Sequence, residues 1–274
     1  MIVRLFTVLL LLLSSGPAML FAAADTGEVP GTPVTEPLAG PPLIPGEEFH
    51  FAVHWAIVPG AGEIAVQATR APSGDLKVTT TTSTRRLARM LLPFRATADA
   101  LYDARTGALK SLHERSQTRG KSAEHIVNFD YIRRRASYVI VGGMKPTMIT
   151  IPAGSPTDLI TALIQTRRWE MQPGDKRDVL VLFDDDFYEL TIHALRYETI
   201  TTHLGTFRTL VLQPRMDKTE PKGMFKRGST VQVWIAQDER RLPVKFEVEF
   251  KIGTGTAVLE RYTPGDSAVA AKKK

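Results

Sequence analysis

Residues 244–252 read VKFEVEFKI, with apolar and charged side chains in strict alternation. Successive side chains of an extended strand point to opposite faces, so this stretch predicts a β-strand with one buried face and one solvated face. The same period of two recurs in residues 49–56 (FHFAVHWA) and residues 231–235 (VQVWI). Helical patterns do not alternate with these strands, which favours an antiparallel sheet over a parallel α/β fold.

Alternation of this kind continues along most of the chain, with turn residues such as Gly142-Gly143 between the segments. Further strands are predicted at residues 62–70, 76–83, 95–103, 108–118, 123–130, 135–141, 177–184, 187–197, 206–214 and 256–262. We therefore expect a mainly β protein: one large curved antiparallel sheet or an open barrel, with one or two short helices. By analogy, this architecture is that of the half-barrels of periplasmic lipoprotein carriers.

Two segments have helical spacing instead. One helix is predicted over residues 155–169, with Ser155 as its N-cap and Pro156 at its first position. A shorter helix is predicted over residues 84–92, where Pro93 ends it. This second helix is amphipathic. Its apolar side consists of Leu87, Met90, Leu91 and Leu92, and its basic side consists of Arg85, Arg86 and Arg89.

The first 24 residues have the three parts of a secretory leader: a positive charge at Arg4, an apolar run over residues 5–13, and alanines at residues 22–24. We expect cleavage before Asp25 and export of the mature protein to the periplasm. No lipid anchor is expected, because the cleavage site has no cysteine. Residues 25–45 are rich in Pro and Gly and predict a flexible linker. A single β-rich domain is then expected over residues 46–263, followed by a basic, disordered tail at residues 264–274.

Composition excludes several classes of protein. The chain has 274 residues, 43% of them hydrophobic, which is enough for a folded core, and it has no Cys for disulfides or thiolate metal sites. His50 and His54 have helical zinc spacing but lie in a strand pattern, where four residues span roughly 13 Å, too far to share one ion. Walker and dinucleotide-binding motifs do not occur, so no cofactor is expected. Export and short basic runs argue against nucleic acid as a partner, despite the net charge of +6.

Several motifs together resemble an exported bacterial family known only as a domain of unknown function. The chain reads GEEF at residues 46–49, PGAG at 59–62, YDARTG at 102–107, THLGTF at 202–207, and VWIA followed by DERRLPV at 233–244. The resemblance spans about residues 46–262. It implies an exported, β-rich protein and transfers no activity or catalytic residue.

These observations favour a non-enzymatic protein whose curved sheet binds a lipid or another amphiphilic component of the envelope. The helix over residues 84–92 is interpreted as a lid on the concave side, with arginines that meet phosphate or carboxylate headgroups. Lipid is preferred over glycan because the chain has only 3 Trp and 6 Tyr for stacking on sugars. The candidate ligand-binding residues are Trp55, Arg85, Arg89, Met90, Leu91, Phe94 and Trp234. The same large apolar residues would otherwise simply fill a closed core.

Two other classes of function stay open. One alternative is an enzyme that acts on envelope polysaccharide through a pair of carboxylates facing one cleft. The candidates for that pair are Asp99, Asp103, Glu247 and Glu249. Alternatively, the protein is an accessory or scaffold protein that contacts the membrane periphery or an envelope complex through a sheet edge. Asp184-Asp185-Asp186 is interpreted as a hairpin tip rather than a calcium loop, because it lacks the spacing of one.

Overall fold

The alternating segments form one sheet in the computed structural model, which describes residues 40–56, 58–183, 185–221, 225, 229–250 and 253–266, without the side chain of Phe250. Fifteen strands and two short α-helices are found within those residues. The predicted leader, most of the predicted linker and most of the C-terminal tail lie outside the described residues, as does Asp184 of the predicted hairpin tip.

The first half of the chain contributes eight strands and one helix: β1 (Glu48–Trp55), β2 (Val58–Arg70), β3 (Leu76–Thr84), α1 (Arg86–Leu91), β4 (Phe94–Tyr102), β5 (Leu109–Thr118), β6 (Lys121–Asp130), β7 (Arg135–Ile140) and β8 (Thr147–Thr150). The second half contributes β9 (Thr157–Asp158), α2 (Leu159–Gln165), a 3₁₀ turn (Thr166–Arg168), β10 (Lys176–Phe183), β11 (Asp186–Thr202), β12 (Gly205–Arg215), β13 (Thr230–Ala236), β14 (Pro243–Phe250) and β15 (Gly253–Thr263).

The strand order follows from two successive meanders. It runs β8-β7-β6-β5-β4-β3-β2-β1-β15-β14-β13-β12-β11-β10-β9, so the pairing of β1 with β15 joins the two halves. All pairs of neighbours are antiparallel apart from β9 with β10. The described sheet is not closed into a barrel and ends at β8 and β9, which confirms the predicted fold class. These two short edge strands were not predicted from the sequence.

Register determines which side chains share a face in the first half. One row of directly paired residues is buried and defines the inner face: Phe51, Ile64, Thr82 and Ala96. The adjacent row points the other way and defines the outer face: Ala52, Glu63, Ser83, Arg95 and Gln117. The period of two in the sequence is therefore the division between core and surface.

Both faces of the sheet are buried in part of the second half. Adjacent residues Val211 and Leu212 on β12 have 0% and 2% of their surface exposed, although they point to opposite faces. They belong to two apolar clusters, and α2 supplies residues to each: Ile164 to one, Leu159 and Leu163 to the other. Burial on both sides explains why these strands have nearly continuous apolar runs rather than clean alternation.

The helix α2 begins three residues later than the sequence predicted, at Leu159 rather than Pro156. Its N-cap is Asp158, whose Oδ1 accepts a hydrogen bond from the backbone N–H of Thr161 at 2.9 Å. Thr157 and Asp158 are extended because they pair with β10, so Ser155 does not cap the helix as expected. Asp supplies the same capping chemistry as Ser, which is why the sequence pattern alone did not separate them.

A buried ion pair attaches the 3₁₀ turn after α2 to the start of β1. Arg167 donates to both carboxylate oxygens of Glu47, at 2.6 and 2.7 Å, and Glu47 is only 1% exposed. The Tyr262 hydroxyl donates to the same carboxylate at 2.8 Å. Burial and the neighbouring Glu47 raise the pKa of Tyr262 to about 12, so the phenol stays a donor at neutral pH. We call these three residues the anchor cluster.

Candidate functional site

The short helix α1 lies against the outer face of the sheet. Ahead of it, the Arg85 backbone N–H donates to the Ala61 carbonyl at 2.9 Å, and the Arg85 side chain forms an ion pair with Glu63. None of the residues of α1 is buried. The expectation that this helix closes the concave side of the sheet is therefore wrong.

A cavity of ≈ 460 Å³ lies where α1 meets the outer face and the turn between β5 and β6. Much of its lining comes from the outer row defined above, because Glu63, Ser83, Arg95 and Gln117 are successive paired residues on β2 to β5. The lining is predominantly polar, with Phe94 and Pro93 as its large apolar contributors. A volume of this size is within the range of small-molecule sites.

Positive charge dominates the cavity. Four arginines line it, Arg85, Arg89, Arg95 and Arg119, against one carboxylate, Glu63. Glu63 pairs with Arg85, and Arg119 Nη2 donates to the Leu91 carbonyl oxygen at 2.7 Å. Neither Arg89 nor Arg95 forms an ion pair with any residue that the structure describes. The cavity therefore has guanidinium donors available to an anion.

Apolar side chains lie beside the charged cavity. Leu87, Met90 and Leu91 of α1 are 58%, 77% and 68% exposed. In most helices of soluble proteins such a stripe faces the core, so three large exposed residues within one short helix are unusual. The site thus combines anion-binding chemistry with an apolar surface.

The structure brings together five of the seven residues predicted as ligand-binding. Arg85, Arg89 and Phe94 line the cavity, and Met90 and Leu91 adjoin it on α1. The two tryptophans lie elsewhere: half-buried Trp55 packs against the cluster beneath α2, and Trp234 is 2% exposed. Lys245 Nζ lies 4.1 Å from the ring centre of Trp234, which is a cation–π contact within the fold.

Arg95 and Arg119 are site residues that the sequence reasoning missed. The alternation of faces along the hairpin of β4 and β5 could have identified Arg95. Because it follows Phe94 by one residue, it lies on the outer face, opposite Gln117 of the next strand.

Asp99 lies on β4 and Asp103 in the turn that follows it, whereas Glu247 and Glu249 lie two residues apart on β14. Burial opposes ionisation of Asp99, but the Thr79 hydroxyl, Lys77 and Arg115 outweigh it and lower its pKa. A backbone hydrogen bond from Thr106 lowers the pKa of Asp103. Both groups are therefore ionised at neutral pH, whereas a general acid needs a raised pKa.

A separate group of buried polar side chains lies on the inner face. Tyr102 donates to Asp158 Oδ2 at 2.8 Å, and His125 Nε2 lies 2.6 Å from Glu114 Oε2. Burial raises the pKa of Asp158, an effect that the hydrogen bonds from Thr161 and Tyr102 only partly offset. This group ties β9 and the start of α2 to β4.

Metal-ligand clusters and membrane-spanning helices are both absent from the described residues. No three His, Asp or Glu side chains there are grouped closely enough to hold a metal ion. Among the same residues, no helix is both long and apolar enough to cross a membrane.

The described strands form an open antiparallel meander sheet, and this fold is similar to that of β-barrel-like proteins. A solved β-barrel-like protein from Brucella abortus, of the domain of unknown function DUF1849, has this kind of fold. It superposes with a TM-score of 0.53 at 7% identity, over 83% of this chain and 100% of that one. A YmcC-like-fold protein from Bacteroides fragilis is 14% identical, over 82% of this chain and 99% of that one, with a TM-score of 0.31.

The family itself is identified by sequence. The profile of DUF3108, a protein family of unknown function, matches residues 50–260, and the chain belongs to that family. This confirms the resemblance inferred from the sequence motifs. A search of curated proteins finds no significant match.

Proposed function

We propose that this chain is an exported, non-enzymatic binding protein that holds the anionic headgroup of an envelope amphiphile in the arginine-lined cavity. One observation carries the proposal: four arginines and a single carboxylate line a cavity that adjoins an exposed apolar helix. Phosphate and carboxylate groups are what guanidinium groups recognise best, through paired N–H donors.

Burial on the inner face supports a position outside the sheet for the acyl chain. Inner-face residues Phe49, Val66 and Tyr102 are each fully buried at 0% exposure and belong to one apolar cluster, so they offer no exposed surface to an acyl chain. The chain of the ligand therefore lies along the exposed residues of α1, outside the sheet. This differs from a carrier that encloses a lipid within its curved sheet.

Charge also favours a headgroup over a neutral ligand. Arg89 and Arg95 form no ion pair with a carboxylate in the described part of the chain. A bound anion is therefore attracted by both guanidinium charges without displacing an existing ion pair. A group between Arg89 on the helix and Arg95 on the strand contacts both elements. Binding of this kind requires no catalytic acid or base.

The test is a calorimetric titration with dihexanoyl phosphatidylglycerol below its critical micelle concentration, and with dihexanoyl phosphatidylcholine as the zwitterionic comparison. We expect the anionic lipid to bind more tightly, and the Arg89→Gln/Arg95→Gln double variant to bind it at least tenfold more weakly.

Arg105→Gln is the matched control, because Arg105 is exposed in the turn after β4, at the opposite end of that strand. It should bind like the unchanged protein. Equal affinity for both lipids, or undiminished binding by the double variant, would refute the proposal.

A further inference from the structure

One end of the first half of the sheet has an unusual composition. Strands β3 to β8 are joined at this end by α1, by the turn at Arg119-Gly120 and by the turn over residues 141–146. Adjacent strands lie about 4.8 Å apart, so the successive connections are spaced by about 10 Å along one edge. We call residues 85–95, 119–121 and 140–148 the basic–apolar edge.

Exposed apolar side chains concentrate on this edge. Of the eleven exposed large apolar residues that the structure describes, seven belong to it: Leu87, Met90, Leu91, Ile140, Val141, Met144 and Met148. Met144 is fully exposed, in a turn where Gly142 has a φ of +83°. Concentrations of this kind on a monomer mark interaction sites, whereas single exposed apolar residues are ordinary.

The charges on the edge are all of one sign. It contains seven basic residues and no Asp or Glu: Arg85, Arg86, Arg89, Arg95, Arg119, Lys121 and Lys145. The elements next to it contribute Glu63, which pairs with Arg85, and Glu124, which lies 2.7 Å from His113 Nε2. Net positive charge therefore faces outward along the whole row of connections.

We infer that the basic–apolar edge docks onto the surface of a bilayer that carries anionic headgroups. Basic side chains interleaved with large apolar ones are the composition of interfacial membrane-binding segments: the apolar groups enter the acyl boundary, and the cations stay at headgroup level. The exposed apolar side chains lie on two separate connections, with Leu87 and Met90 on α1 and Val141 and Met144 in the turn over residues 141–146. A protein partner with an acidic surface would satisfy the charges but would need a separate apolar pocket for each connection. A fluid bilayer accepts all of them at once.

This inference goes beyond the proposed function, although the edge shares α1 and the turn at Arg119-Gly120 with the cavity. The turn over residues 141–146 takes no part in the cavity, so variants in that turn test the inference separately. The experiment uses the full chain, purified after expression with its own leader. Co-sedimentation is measured with vesicles of 30% palmitoyl-oleoyl phosphatidylglycerol in phosphatidylcholine, and with vesicles of phosphatidylcholine alone.

We expect binding to the anionic vesicles that is lost in 0.5 M NaCl, and about tenfold weaker binding by the Val141→Ser/Met144→Ser double variant. Ile132→Ser is the matched control, since Ile132 is 96% exposed in the turn at the other end of β7. Because all three side chains are exposed, thermal stability should not change in either variant.

A direct readout is available because the chain has no cysteine. An NBD fluorophore attached to Met144→Cys should shift to the blue on anionic vesicles, whereas the same fluorophore on Ile132→Cys should not. The inference is overturned by equal sedimentation of the double variant and the unchanged protein, or by equal shifts at both labels. It is also overturned if lipid-free protein sediments as a dimer that Met144→Ser dissociates, which would assign the edge to self-association. Short-chain lipid binding by the double variant reports separately on the proposed function.

Discussion

The anchor cluster gives the sharpest test of how the sheet is held together. Arg167→Met removes one partner of a bidentate ion pair and leaves the Glu47 carboxylate, 1% exposed, with the Tyr262 hydroxyl as its remaining side-chain donor. An uncompensated buried charge of this kind costs about 3–5 kcal/mol of the free energy of unfolding. At about 2–4 °C per kcal/mol for a domain of this size, the melting temperature should fall by roughly 6–20 °C.

Urea denaturation followed by tryptophan fluorescence measures the loss directly, because Trp169 immediately follows the 3₁₀ turn that contains Arg167. Arg105→Met is the control at an exposed arginine, and its effect should stay within about 0.5 kcal/mol. The double variant Glu47→Gln/Arg167→Met should be more stable than Arg167→Met alone, because it removes the unpaired charge. A loss below about 1 kcal/mol for Arg167→Met would refute the assignment of the anchor cluster.

Two further predictions concern buried side chains and tight turns. Because the pKa of Asp158 is raised on folding, the folded state holds this proton to higher pH than the unfolded chain, and stability falls as pH rises above the ordinary value of 3.8. Asp158→Asn keeps an acceptor for the Thr161 N–H and removes the titration, so its stability relative to the unchanged protein should improve from pH 4 to pH 7 in urea melts; a constant difference would contradict this. Gly107→Ala should destabilise by about 2–4 kcal/mol, because φ is +74° and the new Cβ would lie 2.1 Å from the Gly40 carbonyl oxygen. Gly74→Ala has a similar φ of +86° and no atom within 4 Å, so it should cost only about 1 kcal/mol, and equal losses at the two glycines would show that the overlap is relieved.

Local patterns are sufficient to predict the described strands other than β8 and β9. Residues 244–252 were expected as a strand from alternation alone, and β14 covers Pro243–Phe250. The same holds for residues 76–83, which correspond to β3 at Leu76–Thr84. These segments were predictable because one buried face and one solvated face impose a period of two on the sequence.

Pairings between distant segments were not predictable in the same way. The sheet depends on β1 pairing with β15, some 200 residues apart, and on the burial of Trp234 on the face opposite Val233. Alternation predicts that Trp234 and Val233 point to opposite faces, but it does not reveal that both faces of the sheet are packed against other parts of the protein. That packing depends on how the second half of the sheet curves, which is a property of the whole chain.

The position of α1 shows a related limit. An amphipathic helix is expected to turn its apolar side to the core, and Leu87, Met90 and Leu91 have that spacing. In the structure this helix begins at Arg86 with a φ of +49°, on the outer face, and none of its residues is buried. The period of a pattern identifies a helix and its apolar side, whereas the partner of that side must come from tertiary structure or from another molecule.

The anchor cluster and the basic–apolar edge lie near opposite ends of β1. Their effects on stability and on binding can therefore be measured separately. Glu47 lies just before β1 and anchors α2, whereas α1 packs near Ala61 and Glu63, which pairs with Ala52 towards the far end of that strand. Glu47 and Ala52 are five residue steps apart along extended chain, which span roughly 17 Å, beyond the range at which substitutions usually couple. Variants of the basic–apolar edge should therefore change membrane binding without changing the urea midpoint, while variants of the anchor cluster should do the reverse. A variant of Met144 that lowered both would show that the edge is part of the folding core, which its complete exposure argues against.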